Sequence, residues 1–189
     1  STSTITGGTL QFGDGSSTNI TTNGFYVNSP STLPSISINN TAGLGTLVKL
    51  YSNITVMGNI IIDVGATLNN SYDDGAHTFD IFDIYNISLS GNWMNSGTFA
   101  YWNSHTVTFN GGSAQLIGGN SSTEFNRLTI NNSLGGVTLQ FPQSVDSVLT
   151  LSNGLVYTDA VNLLIMNPNS SVGAVSNSSF VYGPVEKDG

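Results

Sequence analysis

Apolar and polar residues alternate along most of this chain. In TVTFN (106–110) Val107 and Phe109 share one face, in RLTIN (127–131) Leu128 and Ile130 do, and in SISIN (35–39) Ile36 and Ile38. VLTLSNG (148–154) and FDIFDIYNISLSGN (79–92) continue the pattern. A period of two marks a strand with one buried face. No stretch sustains apolar residues at i, i+3, i+4 and i+7 with helix formers between them, so no helix is predicted. Gly- and Asn-rich turns such as NNTAGLG, IGGN, NNSLGG and SNG separate the runs.

The pattern also recurs at long range. SISINNTAGLGTLVKL (35–50) is similar to RLTINNSLGGVTLQF (127–141), and matching Ile38 to Ile130 sets a period of 92. NITVMGNIIIDVGATL (53–68) answers VDSVLTLSNGLVYTDAVNLLI (145–165) in a looser register. Such a period exceeds one solenoid turn but suits four turns of about 23 residues. The predicted fold is therefore all-β: a parallel β-helix or β-solenoid of roughly eight coils stacked about 4.8 Å apart. An antiparallel β-sandwich, which shares the alternation and turn spacing, is the alternative. The expected organisation is one solenoid domain over residues 1–189. Within it, 1–32 would end a preceding repeat, 33–124 form a first repeat and 125–189 part of a second.

Composition sharpens this picture. Charged residues make up 7% of the 189-residue chain, against about 25% in typical domains. Polarity comes from Ser, Thr, Asn and Gly. Uncharged side chains can stack in ladders from coil to coil, and Asn is expected to stack at the corners, whereas like charges at that spacing repel. Three cations (Lys49, Arg127, Lys187) face eleven acids, for a net charge of −8. That leaves no basis for binding nucleic acid by phosphate neutralisation or for attraction to anionic lipid. No apolar run approaches the roughly 20 residues of a membrane helix, and direct membrane insertion is not expected. The absence of cysteine removes disulfides, thiolate catalysis and Cys-based zinc sites.

Candidate chemistry is sparse. Trp93, Tyr101 and Trp102 offer apolar rings with polar edges, suited to stacking on sugars. Tyr101 and Trp102 are adjacent, so a strand turns only one of them outward; a ring that points inward fills the core instead. Asp73, Asp74, Asp80 and Asp83 gather around SYDDGAHTFDIFD and are weak candidates for calcium. They lack EF-hand or Ca²⁺-repeat spacing, and a solvated loop explains them better. Asp14 reads as a turn residue, and His77 and His105 as surface or turn histidines. No metal, cofactor or G-x-S-x-G nucleophile is expected. Asp63, Asp73 and Asp83, if stacked on adjacent coils, supply the one route to paired-carboxylate glycoside hydrolysis.

The wording SGNWMNSGTF, TVTFNGGSAQLIGG, EFNRLTINNSLGGVTLQ, VLTLSNGLVYT and SFVYGPVEKDG resembles a module of very large secreted surface proteins of Bacteroidetes-type bacteria. Many of these are adhesin-like substrates of type IX secretion. All five pieces stand in order over about residues 33–189. The resemblance implies a repetitive β-solenoid and says little about chemistry, because its fixed positions are turn and core positions. It also implies a further segment after the GPV.K.G motif, so the chain is expected to be a piece of a longer protein. The expected function is a non-enzymatic structural and adhesive module, extracellular at the cell surface: a rigid stalk or spacer that contacts neighbouring modules or like subunits, and polysaccharide or another surface. A subunit of an extracellular filament joined by strand addition or end-to-end stacking is the alternative, with STSTIT (1–6) as a candidate donor strand. A carbohydrate-active enzyme is a remote third.

Overall fold

The computed structural model describes residues 7–13, 24–40, 45–72, 83–101, 104–173 and 175–188. Among these there is no helix, and hence none long and apolar enough to cross a membrane. The alternation becomes short strands wound into a succession of up to three faces per coil. The first coil holds β1 (Thr9–Phe12) and β2 (Phe25–Val27). The second holds β3 (Ser35–Ile38), β4 (Thr46–Leu50) and β5 (Ile54–Val56). The third runs through β6 (Ile60–Ile62) and β7 (Ala66–Asn69), leaves the coil in the pair β8 (Ser71–Tyr72) and β9 (Asp83–Ile84), and returns in β10 (Ile87–Leu89). The fourth is β11 (Trp93–Asn95), β12 (Thr98–Ala100) and β13 (Thr106–Phe109). The fifth is β14 (Gln115–Gly118) and β15 (Glu124–Asn131), and the sixth β16 (Val137–Leu139) and β17 (Gln143–Asn153). The seventh is β18 (Val156–Tyr157), β19 (Leu164–Met166) and β20 (Ser171–Val172). β21 (Val181–Tyr182) and β22 (Val185–Lys187) begin an eighth.

The first face stacks eight strands in the order β1-β3-β6-β11-β14-β16-β18-β21, all parallel, which makes about seven turns. The second face begins as β2-β4-β7-β12, and the third stacks β5-β10-β13-β15-β17. β15 and β17 are long because each continues through the corner between the second and third faces. β17 accordingly pairs with β19 along its first half and with β20 along its second. Among the described strands only β8 and β9 pair antiparallel. Two facing antiparallel layers are absent, so the sandwich alternative falls.

The pairings show why the alternation was needed. Leu10, Ile36, Ile60, Trp93, Ile117 and Leu139 form one inward column on the first face. Val56, Leu89, Phe109, Ile130 and Leu151 form another on the third. From Ile36 to Leu139 every member of both columns is at most 4% exposed. Full burial of one such side chain stabilises by about 1.5–3 kcal/mol. The partner positions face out: Thr55, Ser88, Thr108, Thr129 and Thr150 stack in register along the third face, giving the uncharged hydroxyl ladder that the composition implied.

Asparagines hold the corners by a different bond from the amide-on-amide stacking expected. The side-chain carbonyl of Asn53 accepts the Asn86 N–H at 2.7 Å, and that of Asn86 accepts the Thr106 N–H at 2.7 Å. Asn59, Asn92 and Leu116 repeat this one corner on, at 2.8 and 2.9 Å. Each amide thus satisfies a main-chain donor that the bend removes from the ladder. Direct amide-to-amide bonding also occurs, from Asn153 to Asn131 at 2.8 Å.

Coil length varies around the expected 23. Paired residues on the first face advance by 24 from Ile36 to Ile60, by 33 to Trp93, by 24 to Ile117 and by 22 to Leu139. The long step is the coil that carries the β8–β9 excursion. At the last coil Lys187 Nζ donates to the carbonyls of Asn167 (2.6 Å), Pro168 (2.9 Å) and Ser170 (3.2 Å), so its charge is absorbed by main-chain oxygens of the coil before.

Candidate functional site

The sequence-derived candidates separate in space. Trp93 does not lie on the surface. Its strand position places it in the inward column between Ile60 and Ile117, at 0% exposure. Its Nε1 donates to Thr123 Oγ1 at 3.0 Å, and its ring meets Phe99 (4.9 Å between centroids) and Phe125 (5.6 Å) edge-on. An enclosed ring cannot stack on a sugar, so Trp93 is a core residue. His105 is likewise no surface histidine: it is fully buried, with Phe99 at 5.5 Å and Tyr101 at 4.9 Å between ring centroids. Trp102, Asp14, Asp73, Asp74, His77 and Asp80 lie outside the described residues. Asp83 opens β9, and Asp63 closes a turn in which the Ala66 N–H bonds to its main-chain carbonyl at 2.9 Å. Among the described residues no three His, Cys, Asp or Glu side chains gather as a metal site.

Tyr101 is half-buried at the corner between the second and third faces, and it leads to a polar hollow. Its hydroxyl donates to Glu124 Oε1 from one coil on. Asn126, 4% exposed, fills the same corner: its Oδ1 accepts the Ser104 N–H at 2.8 Å and its Nδ2 donates to Asp146 Oδ2 at 3.0 Å. Ser104 holds φ at +78° to make this turn. Ser104, Asn126 and Asp146, together with Arg127, Ser147 and Asn169, line a cavity of about 300 Å³. Partial burial pushes the Tyr101 phenol above the ordinary tyrosine range, reinforced by its bond to Glu124 and by the charges of Glu124 and Asp146. The phenol stays protonated and remains a donor. A spectrophotometric titration is therefore expected to show a late-ionising phenolate, above the usual tyrosine value of about 10, that Tyr101→Phe removes. A titration unchanged by that substitution would contradict the Tyr101–Glu124 bond. Glu124 and Asp146 went unremarked in the sequence. Asn126 and Asp146 lie one coil length apart, which is the signal that joins them.

A second groove lies at the corner between the third and first faces. It runs over three stacked corners, formed by Ser133–Gly136, Gly154–Leu155 and Asn177–Phe180, with Tyr157 beside it, and encloses about 440 Å³. Tyr157 pairs in register with Tyr182 on the outer side of the first face, ring centroids 5.9 Å apart and edge-on. Tyr182 is 62% exposed. These rings also escaped notice in the sequence, although LVYTD (155–159) and FVYGP (180–184) repeat the dipeptide at one coil length. Searches against family models, curated proteins and solved structures return no match for this chain.

Proposed function

We propose that the chain is a non-enzymatic spacer and adhesive module of a large extracellular surface protein. The observation that carries this reading is the unbroken parallel ladder of the first face, through eight strands and about 34 Å at about 4.8 Å per step. Its hydrogen bonds run along the rod, so tension applied along the axis is shared with the parallel ladder of the third face. The surface supports the same reading: stacked Thr, Ser and Asn present hydrogen-bonding groups with little charge to attract ions or polyelectrolytes. The described carboxylates of the Tyr101 corner are engaged by neutral donors, Glu124 by Tyr101 and Asn167 and Asp146 by Asn126, which suits holding a bend.

Native-state proteolysis with and without a chelator, alongside incubation with a polysaccharide panel, tests this. The expected outcome is a resistant core spanning β3 to β19, indifferent to chelation, with no new reducing ends. Rapid cleavage within that core, or sugar release abolished by Asp→Asn substitution, would overturn it. A filament subunit is the second reading. Among the described strands, β1 and β21 end the first face and each pair on one side, and such edges accept an added strand. Ordered polymers in electron micrographs would select that reading.

A further inference from the structure

The geometry points to the groove along Gly135, Gly136, Gly154 and Tyr157, with Tyr182 exposed beside it one coil on, as a binding site for a neutral polysaccharide chain lying along the solenoid axis. This inference rests on the adhesive half of the proposed function and names its ligand class and its site.

The groove exists because its floor cannot carry side chains. A Cβ on Gly135 would stand 2.3 Å from the Ala114 nitrogen, and one on Gly154 only 1.8 Å from the Asn132 carbonyl oxygen. One on Gly136, where φ is +67°, would stand 2.5 Å from the Leu155 carbonyl oxygen and 3.0 Å from the Tyr157 ring. Gly135 and Gly136 at one corner and Gly154 at the next are therefore stripped to main chain, which keeps the floor of the groove free of side chains at those positions. The volume of about 440 Å³ falls in the range of small-ligand sites, about 300–1,000 Å³.

The walls select the chemistry. Rings of Tyr157 and Phe180 and the side chain of Leu155 give apolar contact, while Ser133, Ser178 and Asn177 give hydroxyls and an amide. No acidic or basic side chain lines the groove, so nothing there compensates a phosphate, a uronate or an ammonium group. A buried charge without a partner is costly, which leaves an uncharged ligand. It must offer apolar faces to rings and hydroxyls to the Ser133, Asn177 and Ser178 side chains together, and a sugar ring does both. Tyr182, most of its ring open to solvent, stands one coil beyond Tyr157 and extends the aromatic wall. The repeat along that wall is the coil spacing of about 4.8 Å, about the length of one sugar residue in an extended chain. A linear oligosaccharide thus meets a tyrosine ring at two successive steps, Tyr157 and Tyr182.

Cellohexaose, xylohexaose and mannohexaose are the neutral probes, with hexagalacturonate as the charged control. Each is titrated into the ¹⁵N-labelled chain while amide shifts are followed. At least one neutral hexasaccharide is expected to shift residues 133–136, 154–157 and 177–182, with hexagalacturonate silent. Tyr182→Ala is expected to weaken that binding about tenfold and Tyr182→Phe to restore most of it, both with an unchanged melting temperature because the ring is exposed. Failure of all three neutral probes at millimolar concentration, shifts confined to another face, or binding untouched by Tyr182→Ala would each overturn the assignment. A protease-resistant rod that binds none of them loses this groove and keeps the spacer role. A rod that is digested or that cleaves the probes loses the spacer reading instead.

Discussion

Trp93→Ala is expected to lower the unfolding free energy by about 3–5 kcal/mol, the upper range for a large ring removed from a core. The reason lies in where the ring sits. Between the fourth and fifth coils the second face loses its ladder: β12 ends one sheet, and β15 belongs to another. Among the described residues, strand pairing crosses this junction on two faces only. The third contact is made by side chains, with Trp93, Phe99 and Phe125 meeting within 6.3 Å between every pair of centroids and Phe109 reaching Phe125 at the same distance. Truncation at 93 removes the centre of that cluster. It also removes one of the two donors to the enclosed Thr123 hydroxyl, leaving Asn95 Nδ2 at 3.1 Å.

Trp93→Phe separates the two effects. It retains most of the apolar contact and loses the indole N–H, so a smaller cost of about 1–2 kcal/mol is expected. Denaturant unfolding measures both, with the slope checked to confirm that the unfolded surface is unchanged. A loss below about 1 kcal/mol for Trp93→Ala would mean that the ladders alone hold the junction, contrary to the packing argument.

How far the sequence could be read depends on what kind of information a coil needs. Inward and outward positions were legible because the strand period is two: Ile36, Ile38, Val107, Phe109, Leu128 and Ile130 were read as sharing faces, and all six are buried at 0% exposure. The four-coil period was legible in one alignment. Ile54 reaches Leu149 through Ile87, Val107 and Leu128, which is four coils. The other alignment is offset by a face. Ile38 lies in the first face and Ile130 in the third, since SISINN and RLTINN each describe a strand running into an Asn corner, and any corner asks for that wording. Strand parity alone could not orient Trp93, because a tryptophan fits either side of a half-buried strand until its neighbours one coil away are known. The same holds for Glu124, Asp146, Tyr157 and Tyr182, whose partners lie about 20 to 25 residues distant. Coil lengths that run from 19 to 33 along one face hide such pairings from a fixed period.

Asn132→Ala is expected to cost about 3 kcal/mol or more, beyond any loss of packing, because this amide is the crossing point of three coils. It is fully buried. Its Nδ2 donates to the Ser113 carbonyl at 2.6 Å, to Gln115 Oε1 at 3.0 Å and to the Gly136 carbonyl at 3.3 Å. Its Oδ1 accepts the Leu134 and Gly135 N–H groups, both at 3.2 Å. Gln115 carries the connection onward, donating to the carbonyls of Leu89 at 3.0 Å and Gly91 at 2.5 Å. Alanine abandons all five partners of a fully buried amide, and each enclosed group left unpaired is penalised. Asn132→Asp tests the assignment of donor and acceptor while preserving shape. Its carboxylate would face three acceptors, so the folded state raises the pKa above the unfolded value of about 3.9. A group raised in this way is favoured below its unfolded pKa and disfavoured as pH climbs through the folded one. Asn132→Asp is therefore expected to be at least as damaging as Asn132→Ala at pH 7 and to recover part of its stability near pH 4. Thermal melts at the two pH values, referenced to wild type, decide it: equal deficits for both variants at both pH values would place the amide outside the relay described here.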